Sequence, residues 1–179
     1  MIVEMIGFFF VSILGTLSHF LYDIGNHNKY FSIFFAVNES TWEHIKIALT
    51  PMFLWLIIEV PFLYNNVNFI FAKFIGLMCP LIIIPLIFYG YKSISKKSIL
   101  ILDIGMFYLS ILISTLLSMY ILFELPKVPF IVNYLSLIGI IIIFIFYMIL
   151  TMYPLENFLF KDPISKKYGV EAHIELKKK

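Results

Sequence analysis

The chain has 179 residues and a formal net charge of only +2, with 61% hydrophobic and 13% charged residues. Soluble domains carry about 45–50% and 25% of these, so a water-covered fold of this size lacks polar groups for its surface, and lipid must solvate most of the chain. The same composition excludes disorder and nucleic-acid binding, and the single cysteine, Cys79, excludes a disulfide-built secreted domain.

Crossing a bilayer takes about 20 mostly apolar residues, and five stretches qualify: 2–22, 44–64, 69–91, 99–123 and 130–153. The first has no basic leading segment, carries Glu4 and lacks a small-residue cleavage pattern, so it reads as a span and not as a cleaved signal. Along it Ser12, Gly15, Thr16, His19, Asp23 and Asn26 recur at three- and four-residue steps and form one polar stripe. The connection 24–41 is too short and interrupted to span. Its Tyr30, Phe31, Ile33, Phe34 and Phe35 predict an interfacial or re-entrant segment lidding the polar groups beside it.

At the start of span two, Ser40 followed by Glu43 has the form of a capping box, and Asn38 is a second good N-cap. Glu39, Glu43 and Thr50 share a face, with His44 about 100° around. Span three contains Pro80 and Pro85, which predict a bend whose freed carbonyls are satisfied by neighbouring helices. Cys79 there reads as a small packed hydrophobe. In span four Asp103, Ser110, Ser114 and Ser118 form another polar stripe, and both stripes are expected to face the bundle interior. The segment 154–179 loses apolar density and carries turn signals at Asp162-Pro163 and Tyr168-Gly169. Its closing lysines read as a solvated, positive-inside tail touching anionic lipid; its His173 can reach the polar cluster, although a lone tail histidine is more often unattached.

The fold class is therefore all-α: a polytopic integral membrane bundle of five transmembrane helices with an interfacial or re-entrant segment between the first two. The thirteen basic residues are all lysine. Only Lys73 and Lys127 fall on one side of this topology and the other eleven on the opposite side, which predicts an outside N-terminus and a cytoplasmic C-terminus. Ionisable groups at membrane depth are default functional positions. His19, Asp23, Glu39, Glu43, His44 and Asp103 gather near the cytoplasmic ends; Glu4, Glu59 and Glu124 lie near the outer ends.

The run FFAVNESTWEHIK, residues 34–46, resembles the hallmark of an uncharacterised family of small bacterial integral membrane proteins, a domain of unknown function. Three other places are similar to it: His19-Phe20-Leu21-Tyr22-Asp23, Asp103-Ile104, and the LFxDPxxxxYG pattern from Leu159 to Gly169. The resemblance implies a bacterial cell membrane location and no particular activity.

Two imidazoles with carboxylates can hold Zn²⁺ and leave a position open for water, while another carboxylate acts as general base. The expected ligands are His19, His44 and Asp103, with Glu43 or Glu39 as base and Asp23 orienting an imidazole. The chemistry so predicted is metal-dependent hydrolysis or modification of a lipid or other membrane-embedded substrate in the bilayer. A proton- or cation-coupled carrier and a non-catalytic assembly subunit are the alternatives. Glu59 discriminates: in a hydrated interior channel it favours transport, whereas at the outer headgroups it leaves the enzyme reading ahead.

Overall fold

The structure is a computed structural model that describes residues 1–28 and 30–177; Lys29, Lys178 and Lys179, which enter the lysine count, lie outside them. The element order is α1 (Ile2–Ile24), α2 (Phe31–Phe34), α3 (Thr41–Leu63), α4 (Phe69–Ser95), α5 (Leu100–Phe123), α6 (Phe130–Met152) and α7 (Gly169–Lys177). Helices α1, α3, α4, α5 and α6 are each long and apolar enough to cross a membrane, and the protein is a multi-pass membrane protein.

Helices α1, α3, α4 and α5 form a closed ring in which each packs on the next and α5 returns to α1; α6 lies outside against α4. Accordingly α6 buries little beyond Ser136, Ile140 and Tyr147, and its remaining apolar side chains face outward, as lipid solvent permits. Every residue of α3 from Thr41 to Pro51 is buried, because α1, α2, α4 and the tail surround that half of the helix.

Proline positions show how the ring is sealed. Pro80 cannot donate to the Gly76 carbonyl one turn earlier, and Ser114 Oγ of α5 donates to it instead at 3.0 Å. Pro51 likewise frees the Ile47 carbonyl, which lies against Gly15 of α1; a β-carbon at Gly15 would sit 2.7 Å from that oxygen and 2.5 Å from the Phe107 ring. Glycine is thus required where α1 crosses α3.

The segment between α1 and α3 behaves as re-entrant backbone must. Its Ser32, Ile33 and Phe34 carbonyls accept from the side chains of Lys46, Tyr147 and Thr50 at 2.8, 2.8 and 2.9 Å. Thr50 lies about 14 Å along the axis from the start of α3, so irregular chain reaches that depth with these carbonyls paired inside protein. Those partners stand on the α3–α6 side. The segment thus covers the Glu43–Lys46 pair, as its composition suggested for the polar groups beside it, and leaves the space beside His19 and His44 to other elements.

Much of the segment 154–173 is docked on the bundle, while the side chains of the closing lysines lie outside the described residues. Phe160, Asp162 and Ala172 are buried, and Trp42 of α3 packs on the Phe160 ring at 5.0 Å between centroids. At the opposite end of the bundle, Lys73 is no interfacial marker: it is buried, bonded to Glu4, 2.7 Å from Glu59 and 3.0 Å from Ser118. Glu124 stands apart from this group, exposed at the end of α5.

Candidate functional site

The site is assembled where α1 and α4 end and α3 and α5 begin. Ser40 is the N-cap of α3, its Oγ accepting from Glu43 N–H at 3.4 Å. The reciprocal half of a capping box is absent, because the Asn38 side chain takes the Ser40 N–H at 2.8 Å. The Glu43 carboxylate turns away from the helix start, accepting from Val37 N–H at 2.9 Å and pairing with the buried Lys46.

The chain entering α3 is clamped by the tail. Asp162, wholly buried, accepts from Glu39 N–H at 3.0 Å and from the amides of Ile164 and Ser165. Leu159 carbonyl accepts from Trp42 N–H at 3.0 Å, and Gly169 carbonyl from the Asn38 amide at 2.9 Å. The two segments NESTWEH and LFKDPISKKYG are thereby one structural unit, and it holds Glu39 and His44 in place.

His19 Nε2 lies 3.7 Å and His44 Nε2 3.9 Å from the same Glu39 Oε2, with the two rings edge-on and 6.0 Å between centroids. His44 Nδ1 is 2.9 Å from the Ser40 carbonyl. A carbonyl only accepts, so Nδ1 carries the hydrogen and, in the neutral ring, Nε2 offers its lone pair toward His19 and Glu39. This is the pattern by which metal-ligating histidines are oriented. Donor atoms on a tetrahedral zinc stand roughly 3.3 Å apart, given bond lengths near 2.0–2.1 Å, so the present spacing fits the ion after small side-chain movements.

These three residues line a cavity of about 970 Å³, open to the outside. Its wall is apolar on one side, with Phe20, Ile47, Leu100, Ile104 and Phe107, and basic at the rim, with Lys92, Lys96, Lys97 and Lys166. Pro163, Ile164 and Lys166 of the tail roof it, while among the described residues none from 24–38 lines it. Thr16, expected to pack inward, faces this space and bonds Tyr108 OH at 2.8 Å.

Of the residues singled out in the sequence, His19, Glu39 and His44 are brought together. Glu39 stands among the ligand atoms, where the sequence suggested a base. Asp103 lines the same cavity, but both its carboxylate oxygens accept hydroxyl hydrogens, from Tyr91 and Ser98. Glu43 is occupied with Val37 and Lys46. Asp23 orients neither cluster histidine; it sits one turn further along α1, 2.9 Å from His27 Nε2 and 3.1 Å from His173 Nε2. His27 was legible as the residue four after Asp23, whereas His173, a tail histidine expected within reach of the polar cluster, arrives from the far end of the chain and meets Asp23 and His27.

Residues 2–170 match the model of a family of unknown function, DUF6512, and the chain belongs to that family. No curated protein and no solved structure matches it.

Proposed function

We propose that this protein is a metal-dependent membrane enzyme that hydrolyses or otherwise modifies a lipid with an anionic headgroup. The observation that carries this reading is the Ser40 carbonyl on His44 Nδ1, which commits Nε2 to face His19 and Glu39 as a ligand. Two nitrogens and one oxygen suit a zinc-like ion with one position left for water, and such an ion would supply a nucleophile at neutral pH and polarise a phosphoryl or carbonyl oxygen. The chain's own residues do the rest. Lys92, Lys96, Lys97 and Lys166 attract the headgroup, Phe20, Ile104 and Phe107 accept the proximal acyl carbons, and Asp103 with Tyr91 forms the proton-handling pair across the cavity. On this reading the cavity opens at the cytoplasmic leaflet of a bacterial cell membrane, an orientation that the lysine bias supports.

Metal analysis of gently purified full-length protein tests the reading. Wild-type protein is expected to carry metal that His19→Ala/His44→Ala loses in equimolar amount, together with its activity on anionic-lipid vesicles. A double variant that folds and retains the full metal content sinks the proposal.

A proton- or cation-coupled carrier is the second reading, and one observation favours it. At the opposite end a single lysine, Lys73, faces two buried carboxylates, Glu4 and Glu59. That leaves a negative charge inside the bundle unless a proton or cation is held there. Glu59 does face the interior, yet the cavity around it is only about 40 Å³, against about 970 Å³ at the histidine site. The size difference keeps the enzyme reading ahead; uptake of a cation by proteoliposomes that Glu59→Gln abolishes would reverse the order.

A further inference from the structure

We propose that Asp23, His27 and His173 form a second divalent-cation site, of the zinc class, which fastens α7 to the end of α1. The four histidines of the chain fall into two pairs, and this pair is separate from the one beside Glu39. His173 Nδ1 lies 3.0 Å from the Val37 carbonyl, so it must be the donor there and, in the neutral ring, Nε2 carries a lone pair. That Nε2 is shut off from solvent and makes no hydrogen bond, yet lies 3.1 Å from Asp23 Oδ1. Two acceptors at this distance call for a proton or a cation between them, and a second imidazole at the same oxygen makes the place a cation site.

The third donor is already aimed at the same place. Asn26 and His27 both adopt left-handed backbone, φ 54° and 59°, which curls the chain back after α1. His27 Nε2 then reaches the same Asp23 oxygen at 2.9 Å, and the two imidazoles stand 4.9 Å apart between centroids. Tyr22 walls the site, its ring edge-on to both histidines. Two imidazoles and one carboxylate are a donor set for Zn²⁺, and the Val37 carbonyl fixes the tautomer of His173 as such sites require. On binding, the ion replaces the hydrogen between His27 Nε2 and Asp23, since metal ligands must be deprotonated. A cation here would tie together the α1 end, Val37 in the entry to α3, and α7. It would thereby hold down the tail whose Asp162 and Gly169 clamp Glu39 and Asn38.

The test uses the full chain in detergent with His19→Ala/His44→Ala, so that the first site is silenced and its failure leaves this result untouched. Zn²⁺ titrated into chelator-stripped protein is expected to bind at one equivalent. At about a hundredfold excess over its Kd it should slow amide hydrogen exchange in α7 roughly a hundredfold, wherever exchange proceeds by opening of that helix. His27→Ala, in an exposed turn, is expected to abolish both effects, as is Asp23→Asn. Absence of zinc binding, binding that survives His27→Ala and His173→Ala alike, or binding without protection of α7 each overturns the proposal.

Discussion

Three residues show how much depends on a single atom's surroundings. His44 is a ligand candidate because the carbonyl four residues earlier claims its other nitrogen. Glu43, its neighbour in sequence, is spent on Val37 N–H and Lys46. Gly15 has the most direct steric role. Gly15→Ala is expected to destabilise the protein by about 1–3 kcal/mol, as overpacking does where the neighbours are backbone and a buried ring; a lowered midpoint of thermal unfolding in detergent checks it. At the opposite end, Lys73→Met leaves Glu4 and Glu59 buried without their cation. Such a broken pair costs roughly 3–5 kcal/mol, so loss of folded protein is expected, with recovery in Lys73→Met/Glu4→Gln/Glu59→Gln measured by the same unfolding scan.

Elements are joined here by close packing and by polar groups between helices, since lipid is as apolar as the helix faces and gives no hydrophobic drive for them to meet. The α4–α5 contact illustrates this: Ser114 supplies the hydrogen that Pro80 withholds from Gly76. Ser114→Ala is expected to cost about 1 kcal/mol, whereas Ser110→Ala should cost less, because Ser110 bonds the Phe107 carbonyl of its own helix. Parallel thermal scans of the two variants separate them. The tail acts on the same scale. Asp162→Ala removes the acceptor for Glu39 N–H and the turn that roofs the cavity. Metal affinity at the histidine site should fall by about 10–100-fold, in the range found when groups orienting ligands are lost, while zinc titration by competition with a chromophoric chelator reads the change.

For the whole molecule, the ring of α1, α3, α4 and α5 creates two polar interiors of different kind. One is tight and charge-paired around Lys73; the other is open, basic at its rim and lined with imidazoles. An active site needs room for a substrate and a route in from the membrane, and only the second offers about that volume beside exposed apolar helix faces. The lysine distribution predicts that this end is cytoplasmic. Single cysteines placed at Lys97 and Lys127 in a Cys79→Ser background should be labelled by an impermeant thiol reagent from opposite sides of sealed vesicles, and labelling from the same side would refute the five-span topology.

Membrane residence, the five spans and the order of polar stripes follow from the sequence alone, because apolar length and the 3.6-residue period are local properties that no partner has to supply. The helix ends lie within a few residues of the expected ones, the largest extension being the further turn of α4 to Ser95. The convergence of His19, Glu39 and His44 was legible in outline, since span ends of the same sense must meet at one face of the bundle. Which carboxylate joins the imidazoles was not, for Glu39, Glu43, Asp23 and Asp103 are chemically alike. Tertiary structure alone decided among them, through Lys46, His27 with His173, and Tyr91 with Ser98, each of which claims one acid and leaves Glu39 beside the two imidazoles. The 13% of charged residues that first excluded a soluble fold thus divides into lysines outside the bundle, the buried Lys46 and Lys73, and acids whose roles are set largely by contacts remote in sequence. Those contacts form only once the helices close their ring and the tail folds back over it.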